Sequence, residues 1–117
     1  MILALEGDAD LRQAILDILE SAGLDVLMAG NGREVLEALR DLRAPSLVLL
    51  DLKMPGMDGL EFRRNLLETL ELSSVPLVLL GRGPSGEKQA RTRGFGFLKK
   101  PFGEEDLLRI VARYCAD

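Results

Sequence analysis

The sequence predicts one α/β domain, spanning 1–117, in which five parallel strands alternate with helices. Three observations carry this. Five short apolar runs punctuate the chain: Ile2–Leu5, Val26–Ala29, Leu47–Leu50, Leu77–Leu80 and Phe95–Leu98. Most are continuous rather than alternating, as strands covered on both faces are. Segments with helical spacing follow each run, and 117 residues with no linker, repeat or low-complexity stretch leave room for a single core. Such alternation puts helices on both faces of a parallel sheet, a three-layer (βα)5 sandwich.

The elements follow in order. After the first run, Leu11, Ala14, Ile15, Ile18, Leu19 and Ala22 form an i, i+3, i+4, i+7 stripe between an N-cap at Asp8 and a stop at Gly23. Asn31 and Glu34 have the spacing of a capping box, opening a second helix with Val35, Leu36, Leu39 and Leu42 inward. Asp58 and Glu61 repeat that signal ahead of Leu60, Phe62, Leu66, Leu67 and Leu70. The fourth helix is the weak one: Gly81, Gly83, Pro84 and Gly86 read as a loop, and Glu87–Arg93 has hardly any apolar face, so a short, mobile helix is expected. The last helix carries Glu104, Glu105 and Asp106 in its first turn and Arg109 and Arg113 later, complementing the helix dipole. Its inward stripe is Leu107, Ile110, Val111 and Tyr114.

Composition narrows the function. With no histidine, the chain has no Ser-His-Asp triad, no histidine metal site and no phospho-histidine of its own. Its one cysteine, Cys115, rules out an internal disulfide and a cysteine-rich zinc site, which fits a cytoplasmic protein. No apolar run reaches membrane-span length, and the N-terminus lacks a signal-peptide layout. Net charge is −4, a poor balance for neutralising nucleic-acid phosphates, so neither nucleic acid nor membrane is an expected partner. The charge is uneven: residues 1–80 hold 7 basic and 14 acidic side chains, residues 81–117 hold 8 and 5. A Gly-rich nucleotide loop is missing from the first turn, which has the single glycine Gly7.

In an open α/β sheet, ligands bind beyond the carboxyl ends of the strands. Here those ends carry Glu6-Gly7-Asp8, Asp51, Gly81-Arg82 and Lys99-Lys100-Pro101. Carboxylates and a lysine therefore converge on one edge as a charged pocket. A cis peptide is expected at Pro101, since X–Pro turns are where cis bonds occur.

These residues resemble the response-regulator receiver domain, the CheY-like fold. The likeness runs from Ile2 to the last helix and is most specific over Leu47–Gly59, with Leu50-Asp51-Leu52-Lys53-Met54-Pro55-Gly56 at its centre, and at Lys100-Pro101-Phe102. Glu6-Gly7-Asp8-Ala9-Asp10-Leu11-Arg12 supports it in register. The resemblance implies a flavodoxin-like strand order of 2-1-3-4-5. It implies a phosphoacceptor at Asp51, loaded by a histidine kinase with Mg²⁺ held by Glu6, Asp51 and the Lys53 backbone, and a phosphate-pairing lysine at Lys100. Phe97 takes the place of the switch aromatic, and Met54, Pro55 and Gly56 shape the loop. The face of the fourth helix, fifth strand and fifth helix, with Arg91, Arg93 and Lys99, is the implied partner surface.

Two positions depart from that pattern. Gly7 stands where the family has its direct metal-binding aspartate, and Gly81 where it has the Ser or Thr that bonds the phosphate. Magnesium relies on one or two carboxylates beside its waters, so losing one predicts weak or absent Mg²⁺ binding. Arg82 beside Gly81 offers a cation that could face Asp51, or simply a solvated loop side chain. The departures favour a two-component receiver working as a phosphorylation-independent or weakly phosphorylated interaction module over a conventional phosphorylated receiver. An aspartate-nucleophile phosphatase is disfavoured because Lys53 stands where such enzymes need a second aspartate, so no enzyme is expected.

Overall fold

The computed structural model describes residues 1–31, 33–34, 37, 45–51, 68 and 75–114. Five strands are present among them: β1 (Ile2–Leu5), β2 (Val26–Ala29), β3 (Leu47–Asp51), β4 (Leu77–Gly81) and β5 (Gly96–Lys99). The described helices are α1 (Ala9–Ser21), α2 (Pro84–Arg93) and α3 (Glu104–Tyr114); α2 and α3 are the fourth and last helices of the sequence reading. All pairings are parallel, in the order β2-β1-β3-β4-β5, as the resemblance implied.

The continuous apolar runs are explained by burial on both faces. Leu3, Leu5, Val48, Leu50, Leu77 and Leu79 point to one side, where Ala90 of α2 covers them. Ile2, Ala4, Leu47, Leu49, Val78 and Leu80 point to the other, against Ile15 and Leu19 of α1 and Leu107 and Val111 of α3. Each buried Leu, Ile or Val in this double core contributes about 1.5–3 kcal/mol. β2 is less buried than β1, β3 and β4, with Leu27 exposed, as an edge strand allows.

Asp8 caps α1 as read from the sequence: its side chain accepts hydrogen bonds from the N–H groups of Asp10 and Leu11 at 2.9 and 3.2 Å. Gly23 follows the helix at φ 81°, a left-handed conformation that glycine adopts without steric cost. Asn31 and Glu34 form the expected capping pair, Asn31 Oδ1 accepting from Glu34 N at 2.9 Å. The Glu34 carboxylate reaches back to the N–H of Gly30 at 2.7 Å, one residue earlier than the standard box. Val35, Leu36, Leu39 and Leu42, together with Leu60, Phe62, Leu66, Leu67 and Leu70, lie outside the described residues.

Four expectations are corrected. Ala22 is not part of the buried stripe; it is exposed and serves as the C-cap of α1. β3 and β4 each run one residue further than the apolar pattern, to Asp51 and Gly81, because the ladder continues through Asp51↔Leu80 and Gly81↔Lys99. The fifth strand starts at Gly96, not Phe95, whose N–H bonds Ala90 O at 2.8 Å and so belongs to the exit of α2. Finally, α2 starts at Pro84 rather than at Glu87. Proline suits the first helical position, where its missing N–H would be unpartnered anyway. Among the described residues, no helix is long and apolar enough to cross a membrane.

Candidate functional site

Three charged side chains meet at the carboxyl edge of the sheet. Glu6 follows β1, Asp51 closes β3 and Lys100 follows β5, and the order β1-β3-β4-β5 brings them together across 94 and 49 residues of sequence. They are the buried polar residues among those described, exposed by 0%, 5% and 8% respectively. The Lys100 backbone is fixed by its N–H bonding Gly81 O at 2.7 Å, and the Lys100-Pro101 peptide is cis, as expected from the sequence.

Lys100 Nζ donates to Asp51 Oδ2 at 2.8 Å and to Glu6 Oε2 at 3.0 Å. It also lies 2.8 Å from Glu6 Oε1, an ion-pair contact without hydrogen-bond geometry, so Oε1 is the one buried side-chain oxygen among the described residues lacking a hydrogen bond. Glu6 Oε2 accepts a second bond from Asp8 N at 3.0 Å, and Arg12 donates to the Glu6 carbonyl at 3.2 Å. Arg12 was not singled out in the sequence; its place one turn into α1, facing back over the strand end, is the only local signal for it.

Burial raises the Glu6 carboxyl above its ordinary pKa, and the Asp51 charge adds to this, while the Lys100 and Asp8 hydrogen bonds act against them. For Lys100 burial acts downward, yet the hydrogen bonds and charges of Asp51 and Glu6 outweigh it and hold the ammonium above its ordinary value. The pocket is thus an ammonium clamped between two carboxylates.

Mg²⁺ is the metal the resemblance implies. The donor set on hand is two carboxylates already drawn to one ammonium, and position 7 offers no side-chain oxygen. The Lys53 backbone lies outside the described residues. Among the described residues no group of three acidic, cysteine or histidine side chains stands ready to hold a metal. Lys100 occupies Oδ2 of Asp51 and both oxygens of Glu6, so a divalent cation using these carboxylates would share them with the ammonium.

The other expected residues are placed as follows. Gly81 ends β4, and the nearest atom to a Cβ built there would be Phe97 Cε1, at 3.3 Å. Phe97 is half-buried and packs against the core on the α2 side. Arg82 is exposed, and Lys100 is a cation in contact with Asp51. Arg91 is exposed and pairs with Glu87 at 3.2 Å, Arg93 is half-buried and Lys99 is exposed. Beside Lys99, a groove of about 380 Å³ runs between β5 and α3. Leu98, Phe102 and Ile110 supply apolar lining, Lys99, Arg109 and Arg113 supply positive charge, and Asp106, 3.7 Å from Arg109, offsets part of it. The sequence reading missed this groove because its two walls are 10 or so residues apart with a turn between them.

Comparison with known proteins agrees with this fold. The profile of the response regulator receiver domain matches residues 2–112. The chain is 35% identical over 115 residues to the C4-dicarboxylate transport transcriptional regulatory protein DctD of Pseudomonas aeruginosa, covering 96% of this chain and 24% of that protein. It is 42% identical over 79 residues to the DNA-binding response regulator MtrA of Mycobacterium tuberculosis, covering 68% of this chain and 33% of MtrA. The chain therefore spans a quarter to a third of these relatives. Among solved structures, the chemotaxis response regulator CheY4 of Vibrio cholerae is similar at 30% identity and a TM-score of 0.80, over 97% of this chain and 96% of CheY4. NtrX of Brucella abortus is similar at 31% identity and 0.81, over 97% of this chain and 26% of NtrX.

Proposed function

Because the chain belongs to the response-regulator receiver domains of two-component signalling, we propose that it acts as a phosphorylation-independent, or only weakly phosphorylated, protein-interaction module. The observation that carries this reading is the pair of glycines at the pocket: Gly7 removes one metal ligand, and Gly81, at the end of β4, removes the hydroxyl that would read a phosphate. Receiver domains interact with kinases and effector domains. In this chain the proposed contact surface is α2, β5 and α3, with Arg91, Arg93 and Lys99 and the adjoining groove rimmed by Arg109 and Arg113. It suits a protein with an acidic face. The module is not an enzyme on this reading, and it works in the cytoplasm, with no direct contact of this domain to nucleic acid or membrane. The DNA binding in the name of MtrA is not carried over, since the chain covers a third of that protein.

A second reading has one observation in its favour. Asp51 and Lys100 are both in place and in contact at 2.8 Å, so a kinase could still load Asp51 as in a conventional receiver. An amide NMR titration with Mg²⁺ and then beryllofluoride, a phosphoryl mimic, separates the two. Under the first reading the native chain shows no saturable shifts at millimolar Mg²⁺, Gly7→Asp binds Mg²⁺ at least tenfold more tightly, and adding Gly81→Thr links beryllofluoride to shifts in α2 and α3. Mg²⁺ binding by the native chain as tight as by the double variant refutes it.

A further inference from the structure

We propose that Phe97 latches the first turn of α2 to the end of β4, so that the placement of α2 does not depend on what is bound at Asp51. This rests on the interaction-module reading above and supplies its physical device.

The slot is made by two absent side chains. A Cβ at Gly81, the last residue of β4, would lie 3.3 Å from Phe97 Cε1, and a Cβ at Gly86, in the first turn of α2, would lie 3.2 Å from the same atom. One ring edge is therefore seated against two glycine backbones on different elements, closer than a methyl group at either position would comfortably allow. Phe97 pairs with Leu79 in the ladder and its ring leans along the sheet toward the carboxyl edge, reaching Gly81 two residues on.

The helix it meets has little else to hold it. Ala90 is the one fully buried residue of α2. Its N-cap, Gly83, makes no side-chain capping bond, and nothing within 4 Å would meet a Cβ there. At the far end, Phe95 N bonds Ala90 O and fixes the C-terminal turn. Among the described residues, the side chain that meets the first turn at Gly86 is the ring of Phe97. Both glycine contacts are with ring carbons, and position 81 has no hydroxyl, so no side chain at 81 ties this seat to a group on Asp51; the link that exists is backbone, the bond from Lys100 N–H to Gly81 O at 2.7 Å. With the ring seated, Arg91 and Glu87 on α2 hold a fixed relation to Lys99 on β5.

Amide hydrogen exchange of α2 tests the latch, because Gly86→Ala gives opposite signs under the two accounts. Helix propensity alone predicts exchange about fivefold slower, since alanine replaces glycine within a helix. The latch predicts faster exchange, as the added methyl, 3.2 Å from Phe97 Cε1, pushes the ring from its seat. In the Phe97→Leu background, which lacks the ring edge, Gly86→Ala is then expected to slow exchange. Slower exchange from Gly86→Ala in the native background overturns the latch. In the unaltered protein, nuclear Overhauser contacts from the Phe97 ring to the α-protons of Gly81 and Gly86 are expected, and their absence also overturns it. Beryllofluoride with Mg²⁺ separates the latch from the reading it rests on. Shifts at Asp51 and Lys100 with α2 unmoved leave the latch standing and refute the module reading, whereas shifts that extend into α2 overturn the latch.

Discussion

Replacing Lys100 by methionine keeps most of the side-chain volume and removes the charge on which both buried carboxylates depend. Nζ lies 2.8 Å from an oxygen of each. At an effective dielectric of about 20, each contact is worth about 6 kcal/mol before desolvation is counted. Burying the ions offsets much of that, and measured losses for removing one partner of a buried pair are about 3–5 kcal/mol. For a domain whose whole stability is roughly 5–15 kcal/mol, that loss lowers the melting temperature by roughly 10–20 °C. The assay is urea unfolding at neutral and at acid pH. Glu6 already has a raised pKa, and without Lys100 it rises further. A carboxyl raised in the folded state stabilises below its ordinary value and loses that contribution as pH rises through the folded value. The gap between native and variant is therefore expected to be largest above the variant's raised Glu6 value and to close as pH falls to the ordinary 4.5. Lys100 has the matching alkaline signature: its contribution is complete below 10.5 and lost as pH rises through its higher folded value. Adding Glu6→Gln to Lys100→Met removes one of the stranded charges and is expected to recover at least half the loss. A Lys100→Met cost under 1 kcal/mol, or one that does not change with pH, refutes the clamp.

Two further substitutions test how the elements are held. Asp8→Ala deletes the side chain that accepts from the Asp10 and Leu11 N–H groups and is expected to cost about 0.5–2 kcal/mol in urea unfolding, with faster exchange confined to the start of α1. Gly96→Ala places a Cβ 2.6 Å from the Tyr114 hydroxyl and 3.1 Å from its ring, so a loss of about 1–3 kcal/mol is expected, relieved by pairing it with Tyr114→Leu.

The pattern of success in reading the sequence has a physical cause. β1, β3 and β4 were legible because strands buried on both faces must be apolar throughout, and the chain shows this as unbroken runs. Such a pattern marks where side chains are buried, not where the ladder stops. Asp51 and Gly81 pair like their neighbours yet lack apolar side chains, and Phe95 is apolar yet bonds back to α2. The start of α2 was misread because Gly83, Pro84 and Gly86 are loop residues by composition, while Pro84 at the first helical position is a start signal. Glu6, Asp51 and Lys100 could be gathered because parallel strands send all their carboxyl ends to one edge. Which nitrogen meets which oxygen is not local information, and neither are the seats of Phe97 on Gly86 and Tyr114 on Gly96. A glycine is equally a hinge, a turn or a docking floor until the ring that lands on it is known.

Charge counting joins Gly7 to Lys100. An aspartate at the exposed position 7 would add a third carboxylate beside Glu6 and Asp51 at this sheet edge, a surplus of two negative charges over the one ammonium of Lys100. A surplus of that size invites a divalent cation, and without one it costs stability through repulsion and desolvation. With glycine the surplus falls to one, shared between two carboxylates that both contact Lys100. Gly7→Asp therefore carries a stability consequence as well as a binding one. The variant is expected to be less stable than the native chain in chelator and to regain that loss in millimolar Mg²⁺, by the mass action of a ligand that binds the folded state. If the two proteins unfold at the same urea concentration with and without Mg²⁺, the charge balance ascribed to Lys100 is wrong, whatever the pocket does with a phosphoryl group.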